Sequence, residues 1–244
     1  MQTNSLLQEA SEEEQKFNLQ EKFFLKGGFM SSFTHIFFDF DGTICDTAPG
    51  ICVSMQHVCD HYSLPYGKDT FLKMIGPSLE ESFTTFFKLP QSEIRNAIKV
   101  YRDYYSTKGM FECTPYDGIL KTIEDLRSNG IKTYVATSKP ELFTRQIAEK
   151  KNLSYLFDFI AGADMEEKDR TSKIDVINYL IKENNLEDFK NTTLMVGDRN
   201  YDIIGGHKAG LKTCGVLWGF GNEKEFKEAD ADFIIKTPSD IVNL

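Results

Sequence analysis

Two aspartates two residues apart, Asp39 and Asp41 in the run Asp39-Phe40-Asp41-Gly42-Thr43, carry the clearest chemical signal in the chain. Side chains alternate along a strand, so residues two apart project to one side. The apolar run Ile36-Phe37-Phe38 just before them reads as such a strand and delivers both carboxylates to one pocket past its end. Gly42 frees the backbone to turn away. Paired carboxylates suit a hard cation, or a nucleophile with an acid/base partner. An Asp-Gly turn with solvated aspartates is the reading without chemistry. A second acidic pair, Asp198 and Asp202 in Gly197-Asp198-Arg199-Asn200-Tyr201-Asp202, also follows an apolar run. Asp202 falls about one helical turn beyond Asp198 on the same face. The same two residues would equally serve as a cap and an acidic first turn.

Two further signals involve hydroxyls and cations. Thr137-Ser138-Lys139-Pro140 follows a strand expected to end at Ala136, with Pro140 entering the next helix. A hydroxyl and free N–H groups there would accept phosphate oxygens. In Arg170-Thr171-Ser172-Lys173, the lysine opens a helix. Carboxylates, a hydroxyl, a lysine and helix starts at the carboxyl ends of several strands make a set suited to phosphoryl transfer.

The elements that must position these residues are legible as alternating patterns. Apolar runs at 36–38, 131–136, 192–197, 213–217 and 232–235 read as strands of a parallel sheet. Between them lie helical stretches. Ile119, Leu120, Ile123 and Leu126 share one face, and Ile174, Ile177, Leu180 and Ile181 share another. The expectation is an α/β fold with a doubly wound, Rossmann-like parallel sheet. Residues 47–114 break the alternation with helices alone, the clearest carrying Ile94, Ile98, Tyr101 and Tyr105. The chain therefore divides into an extension at 1–31, a core at 32–46 and 115–244, and an inserted all-helical cap at 47–114. Ser11 and Glu14 have capping-box spacing, and Met30 is an alternative start.

DFDGT, a Thr after a strand, a downstream Lys and GDRNYD together resemble the haloacid dehalogenase-like hydrolase superfamily, with its four motifs in order between residues 33 and 235. IGPSLEESF, ATSKP, VGDRNYD and GVLWGFG resemble its phosphoglycolate phosphatase and 5′-nucleotidase-like branch. The resemblance implies that Asp39 is the nucleophile, forming an aspartyl-phosphate, and that Asp41 is general acid and then base. Thr137 would bond a phosphoryl oxygen, and Lys173 would pair with phosphate and nucleophile. Mg²⁺ would be held by Asp39, the backbone carbonyl of Asp41, and Asp198, with Asp202 in support. Thr43, Ser138, Lys139 and Arg170 are expected around the phosphate, and Gly76 and Ser78 on the cap side of the substrate. Electrostatics agrees with a cation there, because a carboxylate and a phosphate dianion repel one another.

Composition narrows the partners. Lys plus Arg is 28 against 37 for Asp plus Glu, a net charge of −9 that disfavours nucleic acid polymers and anionic membranes. A small phosphorylated metabolite is the expected partner, with the protein a monomer or homodimer. No window approaches a membrane span, and the start of the chain lacks the pattern of a secretory signal. Five cysteines without a C-x-x-C pair read as reduced thiols in a cytoplasmic protein. A sugar phosphomutase on the same scaffold is the rival enzyme, and a catalytically silent regulatory binding protein is the rival outside catalysis. The four histidines have no ligand-like spacing, and Trp218 is expected to pack. The cap is expected to move as a lid.

Overall fold

The computed structural model describes residues 32–165 and 168–244. The helix expected around Ser11 and Glu14, with the whole of the 1–31 extension, lies outside the described residues. In chain order the strands are His35–Phe38 (β1), Cys45–Asp46 (β2), Thr114–Pro115 (β3), Lys132–Pro140 (β4), Phe159–Ala163 (β5), Thr193–Gly197 (β6), Lys212–Val216 (β7) and Phe233–Ile235 (β8). β2 and β3 pair antiparallel with each other. The other six form one sheet in the order β5-β4-β1-β6-β7-β8, with every pairing parallel.

All four residues of β1 are buried, as a strand covered on both faces requires. Ile36 and Phe38 join a cluster that includes Ile119, Ile123 and Leu126 of the helix Ile119–Ser128 and Ile147 of the helix Glu141–Lys150. Phe37 faces the other way and packs with Val176, Ile177 and Leu180 of the helix Lys173–Glu183. Helices therefore cover both faces, as in a doubly wound sheet. From β1 the chain runs outward to β4 and β5, then returns to β6 on β1's other side. Strand order reverses there, and such a reversal opens a crevice at the carboxyl ends of the strands.

Two strand features differ from the expectation. β5 was not expected. Three of its five residues, FIAGA, are alanine or glycine, which dilutes the strand signal of Phe159 and Ile160. β4 runs through Pro140 and does not stop at Ala136, with an irregular register between Thr137 and Pro140. Thr137, Ser138 and Lys139 thus lie on a strand, and Pro140 is the N-cap of the next helix.

Helices Ala48–Tyr62, Lys68–Lys73, Leu79–Thr85 and Gln91–Tyr105 fill the segment between β2 and β3. Ile94, Ala97, Tyr101 and Tyr105 form the buried stripe of the last, at helical spacing. Phe83 and Phe87 stack near 5.5 Å inside this segment, whose apolar residues run continuously into one face of the sheet. The β2–β3 pairing, Cys45 opposite Pro115 and Asp46 opposite Thr114, ties the outgoing and returning chains together. All five cysteines are free thiols. Among the described residues no helix is long and apolar enough to cross a membrane.

Candidate active site

Asp39 directly follows β1, and its N–H donates to the Val196 carbonyl at 2.9 Å, extending the β1–β6 ladder into the crevice. Asp198 directly follows β6, and Asp202 lies in the first turn of the helix Asn200–Ala209. One carboxylate oxygen from each of Asp39, Asp198 and Asp202 comes within 4.8 Å of the other two, and all three residues are buried. Two glycines permit this crowding. Gly42 has φ +79°, and a Cβ there would overlap the Asp198 carboxylate; a Cβ on Gly197 would overlap that of Asp202.

The hydrogen bonds divide the three carboxylates. Asp202 accepts from the Arg199 N–H at 3.0 Å and pairs with Lys173 Nζ at 2.7 Å. Asp39 pairs with the same ammonium at 2.9 Å. Asp198 Oδ2 accepts from the Phe220 N–H at 2.8 Å, while its Oδ1 is buried without a hydrogen-bond partner. A buried, unpartnered carboxylate oxygen is costly. Burial, with Asp202 and Asp39 beside it, pushes Asp198 well above the usual carboxylate range. Burial also pushes Asp202 up; Lys173 pulls it back and Asp39 adds to it, for a net value of about 6. Three buried carboxylates share a single ammonium, so the charge they could carry together exceeds what Lys173 can balance. An all-oxygen, anionic, crowded donor set of this kind fits a hard divalent cation.

Lys173 is the first residue of its helix, which Ser172 starts by accepting from the Asp175 N–H while Asp175 accepts from the Ser172 N–H. Its ammonium also donates to the Ala136 carbonyl at 3.0 Å, so it bridges β4 to the acidic cluster. Burial opposes its charge, but Asp202 and Asp39 outweigh that and raise it above the usual lysine range.

Asp41 lies outside the acidic cluster. Both of its carboxylate oxygens accept from Lys139 Nζ, at 2.8 and 2.7 Å. The Lys139 ammonium is also 5.0 Å from the centre of the Tyr105 ring. The sequence placed Lys139 on the phosphate; here its charge is engaged by Asp41.

A cavity of about 250 Å³ lies between the sheet rim and the helical segment. Asp39, Asp41, Thr137, Ser138, Lys139 and Lys173 line its floor, and Gly76 and Ser78 line its roof with Glu81. Ser78 has a local task as well, capping the helix Leu79–Thr85 by accepting from the Glu81 N–H at 3.1 Å. Two residues expected around the phosphate are not on the cavity wall. Thr43 is fully buried, with its carbonyl accepting from Trp218 Nε1 at 3.0 Å. Arg170 pairs with Glu141 at 3.5 Å and stacks on Tyr179 at 4.1 Å. Neither arrangement has a local sequence signature.

Arg199 has a role the sequence did not disclose. Its guanidinium pairs with Glu225 at 2.9 Å and also donates to the Ile75 carbonyl in the cavity roof. Next to it, Tyr201 donates to Glu81 at 3.2 Å. The GDRNYD run therefore fastens the roof as well as supplying two aspartates. An arginine between two catalytic-looking aspartates is the only sequence signal for this.

Residues 36–216 match the family described as haloacid dehalogenase-like hydrolase. The chain is 34% identical to the tyrosine-protein kinase PtkA of Mycobacterium tuberculosis, over 85% of this chain and 67% of that protein. It is 32% identical to a 5′-nucleotidase of Pseudomonas aeruginosa, over 80% of this chain and 87% of that one. The crystal structure of a predicted phosphatase from Clostridium acetobutylicum superposes with a TM-score of 0.82 at 36% identity, covering 87% of this chain and 97% of that one. With the motifs, sheet order and acidic rim in agreement, the chain belongs to the haloacid dehalogenase-like hydrolase family.

Proposed function

We propose that the protein is a Mg²⁺-dependent phosphatase that hydrolyses a small phosphate monoester through an aspartyl-phosphate on Asp39. The observation that carries this reading is the Asp39 carboxylate at the end of β1, 2.9 Å from the Lys173 ammonium and within 4.8 Å of two further carboxylates. Asp39, Asp198 and the Asp41 carbonyl would hold the metal, with Asp202 anchoring Lys173 beside it. Bound there, Mg²⁺ would supply the positive charge that lets an anionic nucleophile approach an anionic phosphate.

In this mechanism Asp39 attacks phosphorus and the ester oxygen leaves with a proton from Asp41. Asp41 then takes a proton from water, which attacks the acyl phosphate, releases inorganic phosphate and restores Asp39. Thr137, almost fully buried at the cavity floor, donates its hydroxyl to a phosphoryl oxygen. Lys173, 2.9 Å away, orients the Asp39 carboxylate. Residues 47–114 form the cap that covers the leaving group.

The cavity walls favour a neutral leaving group. Ile51, Met55, Met74, Leu79, Tyr101 and Phe143 supply apolar surface. The lining cations are engaged: Lys139 by Asp41, Lys173 by Asp39 and Asp202, and Arg102 by the Met165 carbonyl at 3.4 Å. A carboxylate-bearing leaving group such as glycolate would meet Glu81 and no unpaired lysine. Of the two substrates the resemblance implies, a nucleoside monophosphate is the better fit. The test is a panel of nucleoside monophosphates, phosphoglycolate and sugar phosphates assayed for phosphate release with Mg²⁺. Release without a bisphosphate activator is expected. A strict activator requirement would indicate the mutase, and no turnover of any ester would indicate a binding protein.

A further inference from the structure

The two aspartates of the DFDGT run are each matched with a separate lysine. Lys173 serves Asp39, and Lys139 serves Asp41. The second pairing is the unexplained one. Lys139 and Asp41 are 98 residues apart, and their side chains are only 4% and 16% exposed. A lysine ammonium has three N–H donors. Two positions on Asp41 take donors at 2.8 and 2.7 Å, and the Tyr105 ring covers the ammonium at cation–π distance. Little of it is left for a phosphate oxygen.

The surroundings hold that geometry in place. Lys139 lies within the irregular stretch of β4, and its N–H donates back to Thr137 Oγ1 at 3.2 Å. Irregularities of this sort re-aim side chains beside functional sites. Tyr105 is buried, stacks on Tyr101 at 5.2 Å and meets Phe143 edge-on at 5.7 Å. Tyr105 closes the helix Gln91–Tyr105 of the inserted segment, whereas Lys139 belongs to the sheet. The contact therefore crosses from roof to floor.

We propose that Lys139 is the positioning residue for Asp41, and that Tyr105 holds Lys139 in turn, so that a seated cap sets the acid/base carboxylate. This rests on the reading of Asp41 as acid and base. An acid matters most when the leaving oxygen is a poor leaving group, so its misplacement has a recognisable kinetic signature.

The experiment compares wild type, Lys139→Met, Lys139→Arg and Tyr105→Leu on a simple alkyl phosphate and on p-nitrophenyl phosphate, both with Mg²⁺. For Lys139→Met, kcat on the alkyl ester should fall about 100-fold, within the range of acid–base contributions, while kcat on p-nitrophenyl phosphate falls less than about tenfold. KM for both should stay within about threefold, because uniform substrate binding is untouched. Lys139→Arg should recover part of the alkyl-ester loss, and Tyr105→Leu should show the same split at roughly tenfold. Equal losses on both esters, or a loss that lies in KM, would overturn the proposal in favour of substrate binding. A crystal structure of Lys139→Met is the second readout, with Asp41 expected in a different rotamer. An unmoved Asp41 would overturn the proposal even if turnover were undetectable. Should Lys139→Met fail to fold, Tyr105→Leu carries both readouts. Wild type inactive on both esters would instead count against the phosphatase reading, and the crystal structure would still decide the role of Lys139.

Discussion

At the amino rim of the sheet, Asp158 and Asp232 have every neighbour they need, while at the carboxyl rim Asp198 does not. Asp158, just before β5, accepts from Arg127 and from Lys132 at 3.1 Å and the Thr133 N–H at 3.2 Å. Asp232, just before β8, accepts from Lys212 at 2.6 Å, the Thr213 N–H at 2.9 Å and His207 at 3.0 Å. Burial works against the charge of Asp232, but those donors win and hold it at about 2. Across the sheet, Asp198 keeps an oxygen without a partner, and burial drives it up. The same residue type at opposite rims of the same sheet is thus satisfied in one place and frustrated in the other. On the proposed reading, a metal ion would complete the bonding that Asp198 lacks at the carboxyl rim, whereas Asp158 and Asp232 already have their donors.

The contrast can be broken most severely at Asp39. Asp39→Asn should lower kcat by at least about 10⁴-fold, since no nucleophile remains. The metal-free protein should melt no lower than wild type, because a buried charge has been removed from a crowded anionic site. A clear loss of stability would make Asp39 resemble the amino-rim aspartates. Asp198→Asn comes next. Metal-free, it should be at least as stable as wild type and by no more than about 1 kcal/mol more so, because burial and the neighbouring carboxylates already disfavour the ionised form that Asn cannot take. Saturating Mg²⁺ should stabilise wild type by about 3 kcal/mol and the variant hardly at all, read from thermal midpoints with and without EDTA.

Asp232→Asn should behave in the opposite sense. With its folded value near 2, below that of an unfolded chain, Asp232 contributes stability that is complete above the unfolded value and lost as pH falls toward 2. The variant should lose about 1–2 kcal/mol at pH 7, and the gap should close between about pH 5 and pH 2, with kcat unchanged. A gap that persists at pH 2 would contradict the charge-based account. The smallest effect belongs to Arg199→Ala. Losing the bond to the Ile75 carbonyl should raise KM roughly fivefold, about 1 kcal/mol, and speed amide exchange across residues 74–82. Unchanged exchange there would mean that Arg199 does not fasten the roof.

How much of this was readable in advance follows physical range. Five of the six sheet strands announce themselves as apolar runs, because burial on both faces selects for them; β5 does not, since FIAGA at a sheet edge needs less apolar bulk. Asp39, Asp198 and Asp202 are legible because local geometry places them: one residue past a strand, or one turn into a helix. Lys173 is legible for the same reason, whereas Thr137 lines the cavity from within β4 and not from just past a strand end. The Lys139–Asp41 pair and the Arg199–Ile75 contact are not, because they span 98 and 124 residues; the first depends on which strands neighbour each other and the second on how the inserted helices sit on the sheet. Arg170 shows the converse. It stands three residues before Lys173, yet stacking on Tyr179 takes it off the cavity wall.

The claim that joins these observations is that the frustrated rim forms a covalent phosphoenzyme. It is tested most directly by incubating Asp41→Asn with p-nitrophenyl phosphate and Mg²⁺, quenching in acid, and locating the phosphoryl group by peptide mass spectrometry. The expected result is one phosphate on Asp39, labile to hydroxylamine and absent when EDTA is present. An acid-stable phosphate on any other residue, or labelling of Asp39 that proceeds fully in EDTA, would contradict the account.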